Sequence, residues 1–224
     1  RGMIEYSSNA NTEYLMQVLT LERINARLDS LGVTTEHSPL FFFPSSALLP
    51  LTYEAAEPDQ KISTVVSGLS VEDYHRKSEE LFQLRKLGQM QGNKVDFDSQ
   101  LQIIWRDRLP RSNVNAYLRL AAMCNSRAAF PTAVHEVLDE IMNYKQMDRL
   151  QRIGLKSLAL KGGSAFGLRT KVMYFRDEQD NSYEIVYIFN EIDLQDYLKL
   201  KSTFHEFDFK VLVEKNLLCE ISMQ

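Results

Sequence analysis

Residues Ser157–Phe189 read SLALKGGSAFGLRTKVMYFRDEQDNSYEIVYIF. Val, Ile, Tyr and Phe gather here in short runs, bounded by Gly, Asp and Asn. Such composition reads as strands rather than helix. The runs KSLALKG, RTKVMYF and YEIVYIF are three strands, and DEQDNS between the last two is a hairpin loop by composition. Lys161-Gly162-Gly163-Ser164 reads as a turn. Beyond Phe189, EIDLQDYLKLKSTFHEF reads as a helix with Asp193 near its cap. FKVLVEK reads as a further strand, and NLLCEISM as a last one. The C-terminal third is therefore a small, mainly antiparallel sheet with a helix across it, and the fold class is α+β.

Outward from that stretch the period is helical. Residues 12–31 carry Leu15, Val18, Leu19, Leu21, Ile24, Leu28 and Leu31 on one wide stripe. Thr12 is the expected cap and Gly32 the stop. Residues 33–62 hold Pro39, Pro44, Pro50 and Pro58, four of the six prolines. Proline removes donors and restrains its predecessor, so SPLFFFPSSALLPL reads as an extended apolar arm lying on the body or on a partner. Ser70 with Asp73 resembles a capping box, opening a helix to about Leu87 that Gly88 and Gly92 end. Three shorter helices follow. One runs from Asp98 to Leu109 and is closed by Pro110. The next covers Val114 to Met123. The third starts at Pro131, with Val134, Val137, Leu138 and Ile141 inward and His135 and Glu136 toward solvent. Three regions result: 1–62, helix and arm; 63–150, helical; 151–224, small α+β.

The chain has 224 residues, 44 % hydrophobic and 25 % charged, as in an ordinary globular protein. No apolar run is long enough for a membrane helix, and no secretory signal is legible. Cys124 and Cys219 lack metal-ligand spacing and read as reduced thiols, which places the protein inside the cell, in cytoplasm or nucleus. The net charge of −4 is unevenly spread. Residues 101–171 hold twelve Lys/Arg against five Asp/Glu, or +7; residues 1–100 sum to −5 and residues 172–224 to −6. A basic segment of this kind suits nucleic acid, with Arg106, Arg108, Arg111, Arg149, Arg152, Lys156 and Lys161 as the contacts. It suits equally an internal match to the acidic flanks.

The LKGGSA hexapeptide is similar to the entry motif of AbiE-type toxins and some viral poly(A) polymerases, which are polymerase-β-type nucleotidyltransferases. The resemblance implies that Gly162, Gly163 and Ser164 approach a triphosphate. It needs an alternating acid pair on a following strand, for which Glu178 and Asp180 are the only spacing match. That pair falls in the hairpin loop, where acids are ordinarily solvated. The histidines lie in four separate segments, no P-loop, GxSxG or HExxH is present, and no cofactor or metal site is legible.

LFQLRKLGQMQGNKVDFDSQLQIIWRDRLPRSNVNAYLRLAA, with Leu84, Leu87, Leu101, Trp105, Arg108, Leu109, Pro110 and Val114, resembles the capsid C-terminal region of retrotransposon Gag polyproteins. AVHEVLDEIMN then stands where those proteins have their last helix, so the similarity covers residues 81–143. It implies a helical unit that contacts other proteins. The expectation for the whole chain is a non-catalytic subunit or adaptor of a larger assembly. Leu15, Leu19, Leu28, Phe41, Phe42 and Phe43 are its partner-binding or self-association residues. Nucleic-acid binding, a Gag-like capsid and a nucleotidyltransferase are the alternatives.

Overall fold

The computed structural model describes residues 2–33, 38–52, 61–90, 99–143 and 147–214, the side chains of Met147 and Arg149 excepted. Contacts divide the chain into two compact units between Leu120 and Ala121, inside the expected 63–150 region. The fold is α+β: eleven helices among the described residues, and one three-stranded antiparallel sheet.

In the first unit α1 (Gly2–Glu5) precedes α2 (Asn9–Leu19) and α3 (Leu21–Ser30). The expected single helix from Thr12 is thus two. Ser8 caps α2, its hydroxyl accepting from the Asn11 N–H at 3.3 Å. Thr20 takes φ 62°, ends α2 and caps α3 by accepting from the Arg23 N–H. A short hydroxyl side chain can offer the backbone an alternative partner, which permits a break here. α3 does stop at Gly32, whose φ of 70° lets Val33 N–H return to Leu28 and Gly32 N–H to Asp29.

The arm is not extended. It coils into α4 (Phe43–Ser46), with Pro44 tolerated in the first turn, and a 3-10 turn over Leu49–Thr52. Asn25 of α3 holds it by donating to the Leu40 carbonyl and accepting from the Leu40 N–H. Phe41, Leu49, Val66, Tyr74 and Leu81 form one core cluster; Met16, Phe42 and Phe82 form another. α5 (Ile62–Ser67), α6 (Val71–Lys86) and α7 (Ser99–Asp107) supply the remaining wall, and α8 (Val114–Asn125) runs across the boundary between the units. Ser70 caps α6 by accepting from the Asp73 N–H at 3.0 Å. Gly92 and Asp98 lie outside the described residues.

The second unit holds the end of α8, then α9 (Thr132–Met142), α10 (Met147–Arg152), β1 (Leu155–Ala165), β2 (Leu168–Asp177), β3 (Ser182–Phe189) and α11 (Leu194–Val213). α9 is turned relative to expectation: His135 is buried, while Val134 and Val137 face solvent. The His135 Nε2 accepts from the Phe130 N–H at 3.3 Å. FKVLVEK is not a strand, since α11 runs through Val213. Phe204, Asp208 and Val211 are buried at helical spacing, and that packing outweighs local β-propensity. NLLCEISM lies outside the described residues.

The Gly-Gly-Ser segment is not a turn either. Gly162, Gly163 and Ser164 lie within β1, paired with Lys171, Thr170 and Arg169. The chain reverses later, at Phe166–Gly167, where Gly167 takes φ 69°. A Cβ on Gly162 would stand 3.3 Å from the Thr170 carbonyl and 3.4 Å from Lys171 Cδ, so the glycine makes room for a long cross-strand side chain.

Candidate interaction surface

The residues that a nucleotidyltransferase would need are at opposite ends of the sheet. Gly163 and Ser164 adjoin the Phe166–Gly167 reversal, whereas Glu178 and Asp180 sit in the loop between β2 and β3. Asp177 stands six positions along β2 from Lys171, which is opposite Gly162, a span of about 20 Å at ~3.3 Å per residue. Asp180 is held by the Lys156 ammonium at 2.8 Å, which keeps its carboxyl below the usual range. The loop itself is built on Asp177, a buried carboxylate accepting from Gln179 N–H, Asn181 N–H and the Tyr183 hydroxyl. Among the described residues no group of His, Cys, Asp and Glu could hold a metal ion. Cys124 is a free thiol, and burial raises its pKa.

Most of the basic candidates have intramolecular work. Arg108 donates to the Ser67 and Leu69 carbonyls, at 2.9 and 2.8 Å, and its guanidinium lies 5.1 Å over the Tyr74 ring. Arg106 pairs with Asp107, Lys156 with Asp180, and Lys161 donates to the Gly162 carbonyl. Burial, with Lys171 nearby, lowers the Lys161 pKa. Arg111 and Arg152 are exposed; the Arg149 side chain lies outside the described residues. The resemblance residues Trp105 and Arg108 are also structural. Trp105 Nε1 donates to Ser46 Oγ at 3.0 Å, so the pair clamps the arm and the end of α5 against α7.

Two buried ion pairs brace the units. In the first, Glu13 is 2 % exposed and meets Arg85 at 2.8 Å, with Ser45 taking a further bond from the same guanidinium. In the second, Lys171 of β2 meets Asp208 of α11 at 2.7 Å, the side chains 9 and 11 % exposed. The Tyr187 hydroxyl donates to the same carboxylate. Desolvation and that bond raise the Tyr187 pKa. Both arrangements join elements rather than line an opening, and they read as structural.

What the fold leaves uncovered is apolar. α11 buries Phe204, Asp208 and Val211 on one side, yet Leu194, Leu198, Phe209 and Val213 on its outer side are 42–57 % exposed. On α2, Glu13 and Met16 point inward while Tyr14, Val18 and Leu19 stand in solvent. Of the expected partner residues, Leu19 is exposed, Leu15, Leu28 and Phe43 are half-buried, and Phe41 and Phe42 are core. A residue that fills its own core offers nothing to a partner. Phe209 and Val213 were missed because their segment read as a strand, and the outward valines of α9 because they read as core; Leu194 and Leu198 lie in a segment read as helix, whose exposed side the sequence does not mark. No protein-family model and no curated protein sequence matches this chain. No helix among the described residues is long and apolar enough to cross a membrane.

Proposed function

We propose that this chain is a non-catalytic assembly subunit that contacts protein through apolar helix faces its own fold leaves open. The observation that carries the reading is the outer side of α11: two exposed apolar pairs, Leu194 with Leu198 at its start and Phe209 with Val213 at its end, separated by Ser202 and His205. Single exposed apolar residues are ordinary, but large apolar side chains exposed in pairs one helical turn apart form patches of the kind that interaction sites use. Each such side chain contributes about 1.5–3 kcal/mol when covered. The Tyr14, Val18 and Leu19 face of α2 supports the same reading in the other unit.

The test is the variant Leu198→Glu with Phe209→Glu, compared with the parent in complexes isolated from the native source. Circular dichroism and melting should be unchanged, since both residues are outside the core. Recovery of the associated chains should fall at least about tenfold, the equivalent of ~1.4 kcal/mol. Undiminished association with both glutamates in place refutes the proposal.

A further inference from the structure

The sheet ends in an open strand. Among the described residues β3 pairs with β2 on one side and with nothing on the other. The ladder alternates, so alternate residues of β3 aim their main-chain groups outward. The Asp177 N–H bonds the Asn181 carbonyl, and Asn125 Nδ2 reaches the Phe175 and Tyr183 carbonyls together. Odd-numbered residues therefore face β2, and Glu184, Val186 and Ile188 present N–H and C=O to the outside. Edge strands are ordinarily blunted by lysine, proline or a bulge. SYEIVYIF has no lysine or proline, and the β2–β3 register is unbroken. Its near-continuous apolar run is the pattern of a strand covered on both faces, so no charged alternation blunts the edge.

Beside this edge lies an apolar groove of about 390 Å³, walled by Phe189, Leu200, Phe204 and Phe207, with Glu206 and Lys210 at its rim. The chain's own continuation is a poor occupant on topological grounds. Odd residues of β2 point their side chains at α11, as the Lys171–Asp208 pair shows, and their main-chain groups at β3. Viewed from the α11 side with β3 running up, β2 is then on the right and the open edge on the left. A strand following α11 would lie parallel to β3 and reach that edge by a left-handed crossover, against the ≈ 98 % right-handed rule.

We infer that the open edge is a homodimer interface, in which β3 of two copies pairs antiparallel about Val186 to make one six-stranded sheet. A two-fold contact must be self-complementary, and this register is. On the α11 face it sets Tyr183 against the second copy's Phe189, and Ile185 against its Tyr187. On the other face Val186 meets itself and Glu184 meets Ile188. No like charges oppose each other. The inference rests on the assembly reading and specifies its first contact.

Sedimentation and site-directed cross-linking of the full chain test it. The parent should sediment as a dimer. Val186→Pro removes an outward N–H that the β2 ladder does not use, and Val186→Lys adds an edge charge; both should give monomers with unchanged circular dichroism. With Cys124→Ser and Cys219→Ser as background, Val186→Cys should form a disulfide-linked dimer, since facing residues of a hydrogen-bonded pair lie ~5.5 Å apart, within disulfide reach. Ile188→Cys should not, because its counterpart is four residues away. A monomeric parent, or no cross-link at position 186, overturns the inference. A dimer that survives Val186→Pro but is lost with Leu198→Glu and Phe209→Glu overturns it too, while leaving the assembly reading intact.

Discussion

Glu13 and His75 are single residues whose surroundings set their behaviour. Glu13 is buried, and among the described residues Arg85 is the cation paired with it. Arg85→Ala leaves a carboxylate uncompensated inside the first unit. The loss should be about 2–3 kcal/mol in urea unfolding, below the ~3–5 of a wholly enclosed pair because Arg85 is one-third exposed. Glu13→Leu combined with Arg85→Met should recover most of it. His75 stacks on Phe41 at 4.0 Å, and desolvation lowers its pKa from the ordinary 6.5, with Glu72 opposing. The unfolded chain therefore takes up this proton first as pH falls. The stability contribution is present above 6.5 and is lost as pH drops from there through the depressed folded value. Its ring resonances should titrate below 6.5, and His75→Phe should flatten the fall in stability as pH drops below 6.5.

Among elements, the joint between β2 and α11 is the most instructive. Lys171, Asp208 and Tyr187 form a bonded polar set in this contact, with Phe204 and Phe207 packed on Tyr187 and the Arg169 guanidinium over Phe204. Removing one member strands the others. Lys171→Met alone should cost about 3–5 kcal/mol by denaturant titration. Lys171→Met, Asp208→Leu and Tyr187→Phe together should return near the parent, because an apolar joint of similar volume needs no partner charges. A triple variant as unstable as the single one would mean that the set does more than hold α11 down. The same joint explains why Gly162 sits in a strand: a side chain there would crowd the Lys171 stem that crosses it.

For the whole molecule, the described part of the first 62 residues supplies core rather than an appendage. Met16, Phe41, Phe42 and Leu49 are all buried. Losing four such side chains forfeits at least ~6 kcal/mol, comparable with the ~5–15 that a domain has in total. Deleting residues 1–62 should therefore unfold the first unit and cause aggregation, and the intact protein should show slow amide exchange at Met16 and Phe42. Nucleic-acid binding should be weak. With Arg106, Arg108, Lys156 and Lys161 engaged internally, Arg111 and Arg152 are the exposed guanidinia among the candidates whose side chains are described. Fluorescence anisotropy on duplex DNA should give a log–log salt slope near −2, about 0.9 per phosphate, with binding gone at physiological salt. A steep slope would show that the +7 segment acts as a surface after all.

Local chemistry was enough to read the α+β class, the Ser70 cap, the Gly32 and Gly88 stops, the loop built on Asp177 and the Asp193 cap. These depend on side chains within a few residues of the backbone they serve, so neighbours in the chain carry the whole signal. Three things lay beyond it. The break at Thr20 needed α2 and α3 to meet a core formed by Phe42 and Phe82. The strand state of Gly162–Ser164 needed Lys171 across the ladder, and the helical state of Phe209–Val213 needed the sheet beneath Val211. Burial of His135, exposure of Val137 and the open edge of β3 are likewise outcomes of long-range packing. A residue's solvent contact depends on what arrives from far along the chain, and interaction surfaces are the part of a protein defined by that contact.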